Sequence, residues 1–105
     1  MAGKRYKFQA FLTKDPGVPG VVVPPGAARR MTIRARHHRT RRCQFFSALV
    51  ANNGDGADWL DERHEIVTVA VRDDDACDYL DVGDHFALWL GADIADCIVT
   101  RRLYV

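Results

Sequence analysis

Apolar side chains recur at every second position over several short stretches of the chain. Residues 5–13 (RYKFQAFLT) set Tyr6, Phe8, Ala10 and Leu12 on one face and Lys7, Gln9 and Phe11 on the other. A period of two with aromatics predicts a half-buried strand. Residues 30–37 alternate again, with Met31, Ile33 and Ala35 facing in and Thr32, Arg34 and Arg36 facing out. Residues 43–51 return as a strand rich in Phe and Val. Residues 65–71 (EIVTVAV) are the clearest strand, with Val67, Val69 and Val71 on one side. Residues 85–90 (HFALWL) and 94–105 complete the series.

Turn residues separate these stretches. Lys14-Asp15-Pro16-Gly17 closes the first. Residues 18–28 hold three prolines and two glycines, which suits a loop or an edge segment because proline cannot donate to a sheet ladder; Val21-Val22-Val23 is a candidate short strand within it. Asn52-Asn53-Gly54-Asp55-Gly56 is a strong turn, since Asn and Gly tolerate positive φ. Trp59 and Leu60 are candidate anchors after it. Residues 73–83 form an acidic loop around Tyr79, Leu80 and Val82, with room for one helical turn over 73–79. Gly91-Ala92-Asp93 reads as a tight connection. No amphipathic helix of ten or more residues and no internal repeat is found. Six or seven closely spaced strands predict an all-β barrel or sandwich, one domain over residues 1–105.

Charge adds a second layer. The net charge of +1 conceals two opposed blocks: residues 1–42 carry eleven Lys or Arg and one acid, residues 43–105 four Arg and thirteen acids. The basic block peaks in Arg29, Arg30, Arg34, Arg36, Arg39, Arg41 and Arg42, the candidate binding residues. Outward arginines on a strand and in the bend after it suit an anionic partner, foremost a phosphate backbone. Three other outcomes are open: a protein partner, a homo-oligomer in which one copy's basic half meets another's acidic half, or self-pairing with Asp73, Asp74, Asp75, Asp78, Asp81 and Asp84. No exposed aromatic is expected beside the arginines, because Phe45 and Phe46 read as core on one side at least.

The remaining chemistry-bearing residues point away from catalysis. Cys43, Cys77 and Cys97 are odd in number and widely spaced, which fits a reducing compartment; Cys43 and Cys97 fall within strands and read as buried packing residues. His37 and His38 are adjacent, so on a strand they face opposite sides and share no metal ion; with His64 and His85 they do not match zinc spacing. A set of Cys77, His85 and Asp81 has no spacing that enforces a catalytic geometry. The expectation is a binding module and not an enzyme, with no cofactor. Residues 17–28, the one run that invites a membrane reading, are too short and too proline-broken to span a bilayer. Residues 1–14 contain no apolar stretch of signal-peptide length, so a cytoplasmic location is expected.

The succession KFQAFLTKD, RCQFFSAL, VTVAV, GDHFALWLG and CIVTRRL resembles the C-terminal β-barrel domain of bacterial elongation factor Tu. That domain carries a KFEAEVYVL-type strand, RPQFYF, VTVTL and a closing RFAIREGGRTVGAGVV. Lys7-Phe8 stand for its KF, Arg42-Cys43-Gln44-Phe45 for its RPQF and Phe86-Ala87-Leu88 for its FAI; residues 91–99 take the place of GRTVGAGVV. The likeness runs over roughly residues 6–105, with motifs that agree in order and spacing. It implies a six-stranded closed antiparallel barrel. It also implies a translation-related role gripping structured RNA such as tRNA, or a protein partner. GTP binding is not implied for this domain alone: no GxxxxGK(S/T) loop is present. Two contact loops of the family differ here. Its GGRHTPF loop corresponds to residues 26–31 (GAARRM), which keep the basic character. Its REGGRTVG turn corresponds to residues 89–94 (WLGADI), which lose the arginines and gain Asp93.

Overall fold

The computed structural model describes residues 6–15, 17, 23–24, 26–37, 39–52, 64–72 and 76–103. Expectations for Val21, Val22, His38, residues 53–60, Asp73, Asp74, Asp75 and the Cys77 side chain lie outside what it describes. The alternating stretches become six strands: β1 (Tyr6–Lys14), β2 (Ala28–Arg36), β3 (Cys43–Ala51), β4 (His64–Val71), β5 (His85–Trp89) and β6 (Asp93–Leu103). The single helical element among the described residues is one 3-10 turn, Ala76–Asp78. Every strand is antiparallel to two neighbours, and the ring closes in the order β1-β4-β3-β2-β5-β6. The fold is thus a closed all-β barrel and not a sandwich.

The inward set of each strand fills the barrel. Phe8, Leu12, Ile33, Phe46, Leu88 and the valines of β4 are fully buried. A six-stranded barrel is narrow enough for side chains alone to fill it, and each buried Val, Leu or Phe contributes about 1.5–3 kcal/mol. Phe8 meets Phe86 edge-on with ring centroids 5.6 Å apart. The connections seal both ends. Val23, from the β1–β2 connection, is buried at one end; Tyr79 and Leu80, from the β4–β5 connection, are buried at the other. There Tyr79 packs on Phe46, and the Tyr6 hydroxyl donates to the Leu80 carbonyl at 2.6 Å.

Two details position the face that carries the arginines. β2 and β3 pair without a break over nine residues, from Ala28↔Ala51 to Arg36↔Cys43. β5 is the shortest strand and lies between the longer β2 and β6. Its outward Ala87 is small and shielded, so a depression runs along the outside of the barrel there.

Candidate nucleic-acid interface

Register decides which side chains the hairpin presents. With Ile33 and Ala35 buried inside the barrel, strand alternation turns Arg30, Thr32, Arg34 and Arg36 outward. On β3 the same rule turns Cys43, Phe45, Ser47 and Leu49 outward. Arg36 sits opposite Cys43, Arg34 opposite Phe45 and Arg30 opposite Leu49. Neither strand, nor the turn between them, contains a carboxylate.

The turn over residues 37–42 is built locally. The His37 N–H donates to the Arg42 carbonyl at 2.8 Å, and the Arg41 N–H to the His37 carbonyl at 2.9 Å. The His37 ring turns back, and its Nδ1 accepts from the backbone N–H groups of Arg39 and Thr40, both at 3.1 Å. The same ring meets Tyr79 edge-on at 5.0 Å, which ties the turn to the barrel plug. Arg41 has φ of 64°. That is the left-handed region, which glycine adopts freely and a side chain occupies at a cost of about 1–2 kcal/mol.

The seven predicted arginines do not form one rim. Arg29 and Arg30 lie at the far end of β2; Arg29 is engaged by another group of the chain, and Arg30 reaches the Ser47 hydroxyl at 3.5 Å. Arg34, at mid-strand, is held by Asp93 through Nε–Oδ1 at 3.1 Å and a second, shorter contact from Nη2 to Oδ2. This bidentate bond, with the proximity of opposite charge, keeps the Asp93 carboxyl below its usual range and raises the Arg34 guanidinium. Arg36, Arg39, Arg41 and Arg42 gather at the turn end. All four are exposed, and none is ion-paired among the described residues.

Among the described residues, which leave out Asp73, Asp74 and Asp75, none of Arg34, Arg36, Arg39, Arg41 and Arg42 pairs with an acid of the acidic loop. Asp81 accepts from Arg102 at 3.1 Å, and Asp93, outside the acidic loop, takes Arg34. Next to the turn, an open cleft of about 650 Å³ runs over β5. Arg34, Arg36, His37 and Arg41 form one wall; Asp84, Asp93 and Asp96 lie across it, with His85 between. His85 Nδ1 lies 3.2 Å from Asp96. His85 and Asp81 are thus engaged with other residues and do not meet as a catalytic pair. No group of three or more His, Cys, Asp or Glu side chains converges as a metal site among the described residues.

Two expectations are corrected. Phe45 is 51% exposed, and its ring meets that of Trp89 at 5.2 Å with 67° between planes. An aromatic pair does therefore stand among the arginines. The signal was present in the sequence: adjacent strand residues face opposite sides, so either Phe45 or Phe46 had to point outward. Cys43 is exposed, not buried, because it shares the parity of Phe45. Hydrogen bonding from Arg36, then Arg34, lowers its thiol pKa. Cys97 is buried as expected, and desolvation pushes its thiol up.

No protein-family model, curated protein or solved structure matches this chain.

Proposed function

We propose that this barrel is a non-enzymatic module that binds structured RNA through the cationic hairpin of β2 and β3. The observation that carries this is the cluster of Arg36, Arg39, Arg41 and Arg42 on one carboxylate-free hairpin, with no ion-pair partner among the described residues. Four uncompensated guanidiniums on one edge suit a phosphate backbone, which demands charge and geometry and no base reading. The left-handed Arg41 adds support, since backbone strain of this kind concentrates at functional positions. The likeness to the C-terminal barrel of elongation factor Tu belongs to the same proposal and suggests a translation-related, cytoplasmic setting. The RCQF stretch on which it leans leads straight into β3 of this hairpin.

A protein partner is the second reading, favoured by the exposed Leu49, which projects from the same strand as Phe45, and by the exposed Leu90, which follows Trp89 in the chain. Salt separates the two. Affinity for a hairpin RNA, measured from low to high salt, should fall steeply. Replacing Arg36, Arg39, Arg41 and Arg42 by alanine should lower the salt slope by about 3 and affinity near 0.1 M salt about a hundredfold. Binding that is undetectable at low salt, or unmoved by these replacements, would sink the RNA reading.

A further inference from the structure

We infer that Phe45 and Trp89 form a stacking platform for unpaired bases, so that the RNA taken by this face presents a single-stranded segment. The inference rests on the RNA reading above and names the part of the RNA that is recognised.

Three observations converge. Phe45 faces out from β3 opposite Arg34, and Trp89 faces out from β5 opposite Thr32. Their rings meet above β2, 5.2 Å apart. Each ring restrains the other, and Phe45 keeps about half its surface in water. Sequence-tolerant single-strand binding uses this combination, an ordered aromatic surface beside a cationic track.

Second, cations flank the pair along the strand. Arg36 and the turn lie on one side and Arg30 on the other. At about 3.3 Å per residue, Arg30 and Arg36 are roughly 20 Å apart, with the aromatic pair between them. An extended nucleotide chain laid along β2 meets cation, ring and cation in succession. A continuous A-form duplex would engage the arginines alone, because its bases are stacked inside.

Third, the acids define one border. Asp93 and Asp96 line the β6 side of the cleft, and no carboxylate lies on β2 or β3. Phosphates are repelled from the β6 side and drawn over β2 and β3, where the rings are. Asp93 also holds the Arg34 guanidinium in place beside the platform.

The test uses the whole chain and three probes at low salt: a short oligouridylate, an abasic oligomer of the same length, and a blunt RNA duplex. The oligouridylate should bind about tenfold more tightly than the abasic oligomer. Phe45→Leu keeps an apolar residue at an exposed position and should abolish that difference, while Phe45→Trp should preserve it. Thermal unfolding would verify that both variants are folded. Equal affinity for the oligouridylate and the abasic oligomer, with the arginine dependence intact, overturns the stacking platform and leaves the RNA reading standing. A duplex that binds more tightly than the oligouridylate, with no effect of Phe45→Leu, overturns it as well. Failure of all three probes to bind would instead remove the RNA reading on which it rests.

Discussion

The two ends of the β2–β3 hairpin handle polar groups in opposite ways. At the Ala28 end they close on one another. The Gly26 N–H donates to the Asn52 carbonyl at 2.7 Å, and the Asn52 N–H to the Ala27 carbonyl at 2.9 Å. The buried Asn52 amide donates to the Val23 carbonyl at 3.0 Å and to Glu65 at 3.4 Å. Val23, which this pins, is fully buried. At the Arg36 end the backbone is equally well bonded, through His37, yet the side chains are turned out. Four exposed guanidiniums carry no ion pair among the described residues, one of them on a residue in a conformation that favours glycine. The same pair of strands is thus sealed internally at one end and left electrostatically open at the other. The first end is tied down by buried hydrogen bonds, and the second carries the cations of the proposed interface.

The largest expected effect tests the sealed end. Asn52→Ala leaves the Val23 carbonyl without its donor and should cost about 1–3 kcal/mol in urea unfolding. RNA affinity of the folded variant should stay unchanged; a change in affinity without a change in stability would erase the distinction between the ends. Arg41→Gly tests the open end. Glycine relieves the left-handed strain and adds chain entropy to the unfolded state, for a net gain of about 0.5–1 kcal/mol. The same variant should bind RNA more weakly, with a salt slope smaller by about 0.7. A variant that is both more stable and equally tight would show that Arg41 is not a contact.

Asp93→Asn gives the smallest effect. Removing a negative charge about 7 Å from a phosphate should strengthen binding by roughly threefold at low salt. Stability should fall by less than about 1 kcal/mol, because the Arg34–Asp93 pair is partly exposed. Its pH dependence has a fixed sign. The Asp93 pKa is depressed in the folded chain, chiefly by the hydrogen bond from Arg34. The contribution of the pair is therefore present above the ordinary carboxylate range and lost as pH falls through the lowered value. Below that value the wild type should bind RNA as Asp93→Asn does. If the two still differ there, Asp93 acts through its shape and not its charge.

Much of the barrel is legible in the sequence, because a period of two sorts side chains without knowledge of their neighbours. It places Phe8, Ala10, Leu12, Ile33, Ala35, Val67, Val69 and Val71 inside, and all of them are buried. It also separates β3 from its flanking turns at Cys43 and Ala51. Closure is another matter. β1 pairs with β6 across most of the chain, and alternation alone cannot choose a partner so distant. The site is legible in part for the same reason. The arginines are conspicuous locally, but Asp93 lies 59 positions from Arg34. Phe45 and Trp89 meet only once β3, β2 and β5 are side by side. Cys43 is exposed against expectation because its burial depends on register, and being within a strand says nothing about which face it occupies.

The closed ring has a consequence for solubility. Each of the six strands pairs with a neighbour on both sides, so no strand of the ring is a free edge along its whole length, and edge-to-edge growth into fibres is hindered. Among the described residues the exposed large apolar side chains are Phe45, Leu49, Val82 and Leu90, and Phe45 and Leu49 project from the cationic hairpin. Two copies meeting there would oppose arginine to arginine. The like charge of the guanidiniums therefore disfavours contact between copies through the hairpin's apolar side chains.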